Sequence, residues 1–306
     1  MAFQAEVGTW LAAHLLARMP VGGRFGLANT ALPVCIQLET GDGLDDIRLD
    51  QDDSSRIELQ SKTSAGLTTD PNSPLGKTLR QLVRIVMDAR GTGIAVDPMK
   101  TRAILAVAAN APRSLDALER GCRAFDLGGS WATTKAGRSS AERDALDIFE
   151  THARSAWVTH SVTSPTDDEL VMMARLFRIE RFSMNEGEVN WREASRLLGA
   201  RLYGAEASGD APLRELKDII RGMIGSCQRR RDFRPVWRSK SRPVAGRMRR
   251  HEKGPDRAPF HAGGEKIFGA YVGAISPVSG STISSAGLSW APAMVGLRRR
   301  VDWIRR

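Results

Sequence analysis

Asp46, Gln60 and Lys62 are the residues of this 306-residue chain whose types and spacing suit chemistry. They lie in two short segments, 44–49 (Leu-Asp-Asp-Ile-Arg-Leu) and 56–63 (Arg-Ile-Glu-Leu-Gln-Ser-Lys-Thr), and both alternate with the two-residue period of a strand. In the first, Ile47 and Leu49 oppose Asp46, Arg48 and Asp50; in the second, Ile57, Leu59 and Ser61 oppose Glu58, Gln60 and Lys62. Residues 50–55 (Asp-Gln-Asp-Asp-Ser-Ser) are rich in side chains that bond their own backbone in turns, so the segments form a hairpin. That hairpin sets a carboxylate, a neutral amide oxygen and an ammonium on one edge of a sheet. Such a set suits phosphodiester hydrolysis, in which phosphate charge must be neutralised and water activated. Mg²⁺ does both, and it needs only one or two protein oxygens because it keeps several of its waters. Lys62 then holds the attacking hydroxide or the scissile phosphate. A polar outer face on a half-exposed hairpin is the plain structural alternative.

The elements needed to position these residues are legible around them. Residues 2–19 place Phe3, Val7, Trp10, Leu11 and Leu15 at helical spacing, giving an amphipathic helix ended by Pro20 and Gly22-Gly23. Gln4, Glu6, His14 and Arg18 interrupt it too often for a membrane span or a signal core. A strand over Ala31–Glu39 leads through a Gly41-Asp42-Gly43 turn into the hairpin. After a loop over 68–74, Leu75, Leu79, Leu82, Val83, Val86 and Met87 form the stripe of a helix over 75–90. Ala103–Ala109 is an apolar run consistent with a buried strand.

The resulting order, helix, three strands, helix, strand, with an acid in the first helix, Asp46 opening the second strand and Gln60-Ser61-Lys62 on the third, resembles the restriction-endonuclease-like PD-(D/E)xK superfamily. More narrowly, residues 1–160 are similar to the CD-NTase-associated double-stranded DNA endonuclease domain at the N-terminus of bacterial antiphage effectors, and residues 73–82 echo the helix after its third strand. The resemblance implies an α/β fold, a mixed central sheet flanked by helices. It also implies Mg²⁺ or Mn²⁺ as cofactor, double-stranded DNA as substrate, and self-association. Glu6, Asp46, Gln60 and Lys62 fall on its motif positions. Gln60 stands where most members have an acid, a substitution this branch shares. Asp45 competes with Asp46, although strand phase favours Asp46; Glu39 is an alternative acid to Glu6, whose other role is to suit the helix dipole.

Relatives of this kind continue into a helical connector and then an ATPase or ligand-sensing module. Residues 161–227 read as that connector, with helices over 167–175, 189–203 and 211–224 and an alternating strand over 176–182, following a helix over 138–160. The phosphate-binding loop of an ATPase, Gly-x-x-x-x-Gly-Lys-[Ser/Thr], does not occur in the chain.

The net charge of +10 suggests a nucleic-acid partner, but its distribution is uneven. Residues 1–227 hold 27 Lys and Arg against 30 Asp and Glu, whereas residues 228–306 hold 18 against 5. DNA affinity therefore requires either a local patch, for which Arg80, Arg84, Lys100 and Arg102 are candidates, or the tail itself. That tail, rich in Arg, Pro, Gly and Ser and without apolar period, reads as disordered. Three accounts of it stay open: a nucleic-acid-binding arm, a solvated linker, or a reading frame truncated or drifted just before the expected ATPase module. Cys35, Cys122 and Cys227 lack metal-ligand spacing and point to a reducing, cytoplasmic setting. Two functions compete at this stage, a metal-dependent DNA endonuclease and a catalytically inactive module of the same fold that binds DNA or a partner protein.

Overall fold

The structure, a computed structural model, describes residues 2–39, 44, 46–93, 96–161, 163–204 and 208–232. It is an α/β protein with a five-stranded mixed sheet flanked by helices on both faces, strand order β1-β2-β3-β4-β5. Strands β1 (Pro33–Leu38), β2 (Ile47–Gln51) and β3 (Arg56–Lys62) form an antiparallel meander, and β4 (Thr101–Ala108) and β5 (Phe177–Phe182) extend it in parallel from β3. Parallel neighbours need crossovers. Helix α2 (Pro74–Thr92) makes the first; α3 (Ser114–Arg123), α4 (Trp131–Ala136), α5 (Ser140–Val158) and α6 (Asp167–Leu176) make the second.

Each sheet face buries its own core, and the alternation of β4 shows the division. Ala103, Leu105 and Val107 face the layer of α2, α3, α5 and α6, whereas Ile104 and Ala106 face α1 (Ala2–Ala17), α7 (Val189–Tyr203) and α8 (Asp210–Asp232). A strand covered on both sides must be apolar at every step, which is why 103–108 reads as a continuous apolar run. Helix starts follow capping chemistry. The Ser73 hydroxyl accepts from Gly76 N–H with Pro74 in the first turn, and Ser139/Glu142 and Thr166/Glu169 form reciprocal capping boxes on α5 and α6.

Several expectations are corrected. Helix α1 is not amphipathic: Gln4, Thr9 and His14 are buried with its apolar residues, because α7 and α8 cover the side that the sheet leaves free. Helices α3 and α4 are additions to the expected elements: α3 buries Leu115, Leu118 and Cys122 at i, i+3 and i+7, whereas the six residues of α4 are too few for an apolar stripe to repeat. The boundary expected at residue 160 falls inside the packed unit. The segment read as a connector supplies β5, and its α7 and α8 pack on α1. Helix α8 runs to Asp232; the rest of the expected tail, like the turn at 41–43, lies outside the described residues.

Candidate active site at the β2 and β3 strand ends

The hairpin register brings the predicted residues together. Strands β2 and β3 pair with Ile47 opposite Leu59, so one further step sets Asp46 opposite Gln60. The turn fixes that register. Ser55 N–H donates to Asp53 Oδ1 at 2.9 Å, Gln51 N–H donates to Ser55 O at 2.9 Å, and Ser54 takes a left-handed φ of 66°. Asp46 Oδ2 accepts a hydrogen bond from Ser61 N–H at 2.6 Å and stands 3.9 Å from Lys62 Nζ. The carboxylate is thus held by the strand that carries the other two side chains.

Gln60 is 5% exposed, and its Oε1 is buried without a hydrogen-bond partner. It sits level with Leu105 of β4, on the sheet face covered by α2. An orphaned buried acceptor costs about 1–3 kcal/mol in desolvation, so its retention calls for a reason. Glu58, two residues back on the same face, is also buried. Its Oε2 accepts from Leu44 N–H at 3.1 Å and Arg56 lies 3.6 Å away. Burial pushes the Glu58 carboxyl above the usual range, against the opposing pull of Leu44 N–H, Arg56 and Arg48. Through Leu44, Glu58 holds the chain two residues before Asp46.

Helix α1 reaches the site through Gln4, not Glu6. The buried Gln4 amide donates to Glu39 Oε1 at 2.7 Å and to the Asp46 carbonyl at 3.1 Å. Glu39 N–H donates to the same carbonyl at 2.9 Å, and a left-handed φ of 54° ends β1 there. Glu39 is therefore tethered at the level of Asp46. Glu6 instead binds Lys217 Nζ at 2.9 Å, joining α1 to α8, and it lies beyond the first helical turn, so neither of its expected roles describes its position. Asp45 lies outside the described residues. Glu58 was visible as a face-mate of Gln60; Gln4 carried no signal, because its use depends on a contact 42 residues away.

The expected basic patch separates. Arg102 is 2% exposed and donates to the carbonyls of Phe25 at 3.1 Å, Gly26 at 2.8 Å and Arg175. Burial, then the nearby Arg178 charge, lowers its pKa to about 10. It is an internal strut and cannot meet a phosphate. Lys100 is taken up by Asp53 Oδ2 at 2.8 Å, whereas Arg80 and Arg84 are exposed on α2.

A hard divalent cation suits the donors that the hairpin brings together, the Asp46 carboxylate and the orphaned Gln60 oxygen, whereas the Glu39 carboxylate is bonded to Gln4 of α1. Among the described residues no three or more His, Cys, Asp or Glu gather as a metal cluster, so any such ion would rest on few charges and keep much of its water. Comparisons with protein-family models, curated proteins and solved structures returned no match. Among the described residues no helix is long and apolar enough to cross a membrane. The fold and site define an α/β protein with a carboxylate, amide and ammonium set at the end of its antiparallel hairpin.

Proposed function

We propose that this chain is a metal-dependent endonuclease of restriction-endonuclease-like fold that hydrolyses DNA phosphodiester bonds, acting as the effector domain of a bacterial antiphage system. The observation that carries the reading is the buried, unpartnered Gln60 Oε1 beside a carboxylate that stands 3.9 Å from an ammonium. Asp46 and Gln60 would hold Mg²⁺ or Mn²⁺, with Glu39 as the neighbouring acid. When bound, the ion supplies Lewis-acid neutralisation of the phosphate and activation of water. Asp46 is aimed by Ser61 N–H, with Lys62 Nζ 3.9 Å from its carboxylate. Lys62, on a flexible stem beside Asp46, stabilises charge as it develops on the phosphate oxygens. Gln4 fixes the end of β1 against the start of β2, which holds Glu39 in place.

The test is nicking of supercoiled plasmid in Mg²⁺ or Mn²⁺ by the full chain, alone and at concentrations that favour self-association. Asp46→Ala and Lys62→Ala should each lower the rate by roughly 10²-fold or more while leaving the thermal melt in place. Equal nicking by all three proteins, or none from the unaltered chain under any condition, refutes the enzymatic reading. A second reading, an inactive module of the same fold that binds DNA or a partner, is favoured by the neutral Gln60 amide, which stands where a carboxylate would be the stronger ligand. Plasmid binding without metal-dependent nicking is its signature.

A further inference from the structure

We infer that Lys77, Arg80 and Arg84 on the outer stripe of α2 form a ridge that grips the phosphate backbone of double-stranded DNA beside the Asp46 site. The placement of this ridge next to a cutting site rests on the proposed nuclease function; the binding itself does not.

The three residues are spaced i, i+3 and i+7, which puts them in one row along the helix. All three are exposed, while Leu75, Leu79, Leu82, Val83 and Val86 hold the opposite side in the core. Among the described residues no carboxylate lies within ion-pair distance of any of them; Arg80 donates only to the Pro71 carbonyl, at 3.1 Å. Asp70 in the preceding loop and Asp88 one turn beyond Arg84 are the nearest acids in sequence, and neither is paired with the row. Elsewhere on the surface Arg90, Arg120, Arg154 and Arg214 each bind a glutamate at 2.7–2.9 Å, so the α2 row differs from these in holding its charge unneutralised among the described residues. Three unneutralised cations in a row repel one another, and a polyanion relieves that repulsion while releasing its own counterions.

Position selects the polyanion. Helix α2 carries the chain from the C-terminal end of β3 back to the start of β4, so its first turns lie at the sheet end that holds Lys62. It also covers the face toward which Gln60 points. The row spans about 10 Å, the rise of about three base pairs, so it can follow one strand of a duplex whose phosphate lies at Lys62. Helix α7 carries a comparable set, Arg192, Arg196 and Arg201, but on the other side of the sheet. It serves as a charge-matched control.

The experiment measures binding of a labelled duplex to the full chain in EDTA over a range of salt, so that cleavage plays no part. The combined variant Lys77→Gln/Arg80→Gln/Arg84→Gln should flatten the plot of log affinity against log salt by about 2–3 and weaken binding roughly 10- to 100-fold at moderate salt. The contribution of the Arg-rich tail is common to all variants and cancels. Arg192→Gln/Arg196→Gln/Arg201→Gln should leave the slope nearly unchanged, and Lys77→Arg/Arg80→Lys/Arg84→Lys should restore it to that of the unaltered chain. An unaltered slope in the α2 variant, or a fall matched by the α7 variant, overturns the ridge. Slope loss without any metal-dependent nicking keeps the ridge and removes the nuclease; nicking with a slope insensitive to α2 does the reverse.

Discussion

Gln60 sets stability against use. Its Oε1 is buried and unpartnered, so Gln60→Met, of similar volume, should raise stability by about 1 kcal/mol in urea titration while abolishing Mn²⁺ binding measured by electron paramagnetic resonance. A destabilised variant would mean the oxygen is satisfied in solution. Gln60→Glu should instead tighten Mn²⁺ binding, since a carboxylate is a stronger ligand for a hard cation than a neutral amide. His14 is a second residue under strain of this kind. Packed against the Trp10 ring and 3.7 Å from Glu193, it has its pKa lowered to about 4, chiefly by burial and despite the glutamate. The folded state keeps the ring neutral, whereas the unfolded chain takes up a proton near 6.5. His14 thus contributes stability above pH 6.5, and that contribution, about 3 kcal/mol at most, is lost as pH falls toward 4. His14→Phe should flatten the stability profile between pH 4 and 6.5; a profile as steep as before assigns the titration to another group.

At the scale of elements, the site depends on how strands and helices are joined. The loop after Lys62 is drawn down before α2: His152 Nε2 meets the Thr68 carbonyl at 2.6 Å, and Gly76 lets the loop close over the helix start. A Cβ at Gly76 would lie 2.8 Å from Pro71 O and 2.9 Å from Asp70 O, both backbone atoms. Gly76→Ala should therefore cost about 1–3 kcal/mol and expose the loop to protease faster than it exposes the sheet. Uniform proteolysis would show that the strain spreads through the fold. Much of this level was legible, because α2, β3 and β4 carry long or unbroken patterns. Helix α4 was not, since six residues are too few for an apolar stripe to repeat, whereas the stripe of α3, Leu115, Leu118 and Cys122, stands at helical spacing.

For the whole molecule, the sheet is incomplete without its last strand. Strand β5 covers the edge of β4, and Phe177, Ile179 and Phe182 enter both cores. A chain cut after residue 160 leaves β4 as an open apolar edge and uncovers α1. It should aggregate or lack a cooperative melt, whereas residues 1–232 should melt cooperatively. A soluble, cooperative 1–160 fragment would restore the boundary read from the sequence. That boundary misled because 161–224 is made of ordinary helices and one short strand, and nothing in their periodicity says which sheet the strand joins.

Local physical chemistry written in the sequence was enough to determine the α/β class, the hairpin and its face-sharing residues. Strand alternation sets which side chains point together, and the turn residues set the register that places Asp46 level with Gln60. Contacts between distant segments were decided only in three dimensions. Tertiary packing sent Glu6 to Lys217, brought Gln4 to Glu39 and Asp46, buried Arg102 and left Arg80 and Arg84 outside. Each outcome turns on which surface covers a residue. A single chain read locally carries its periods and caps, but not the identity of the neighbour that burial will supply.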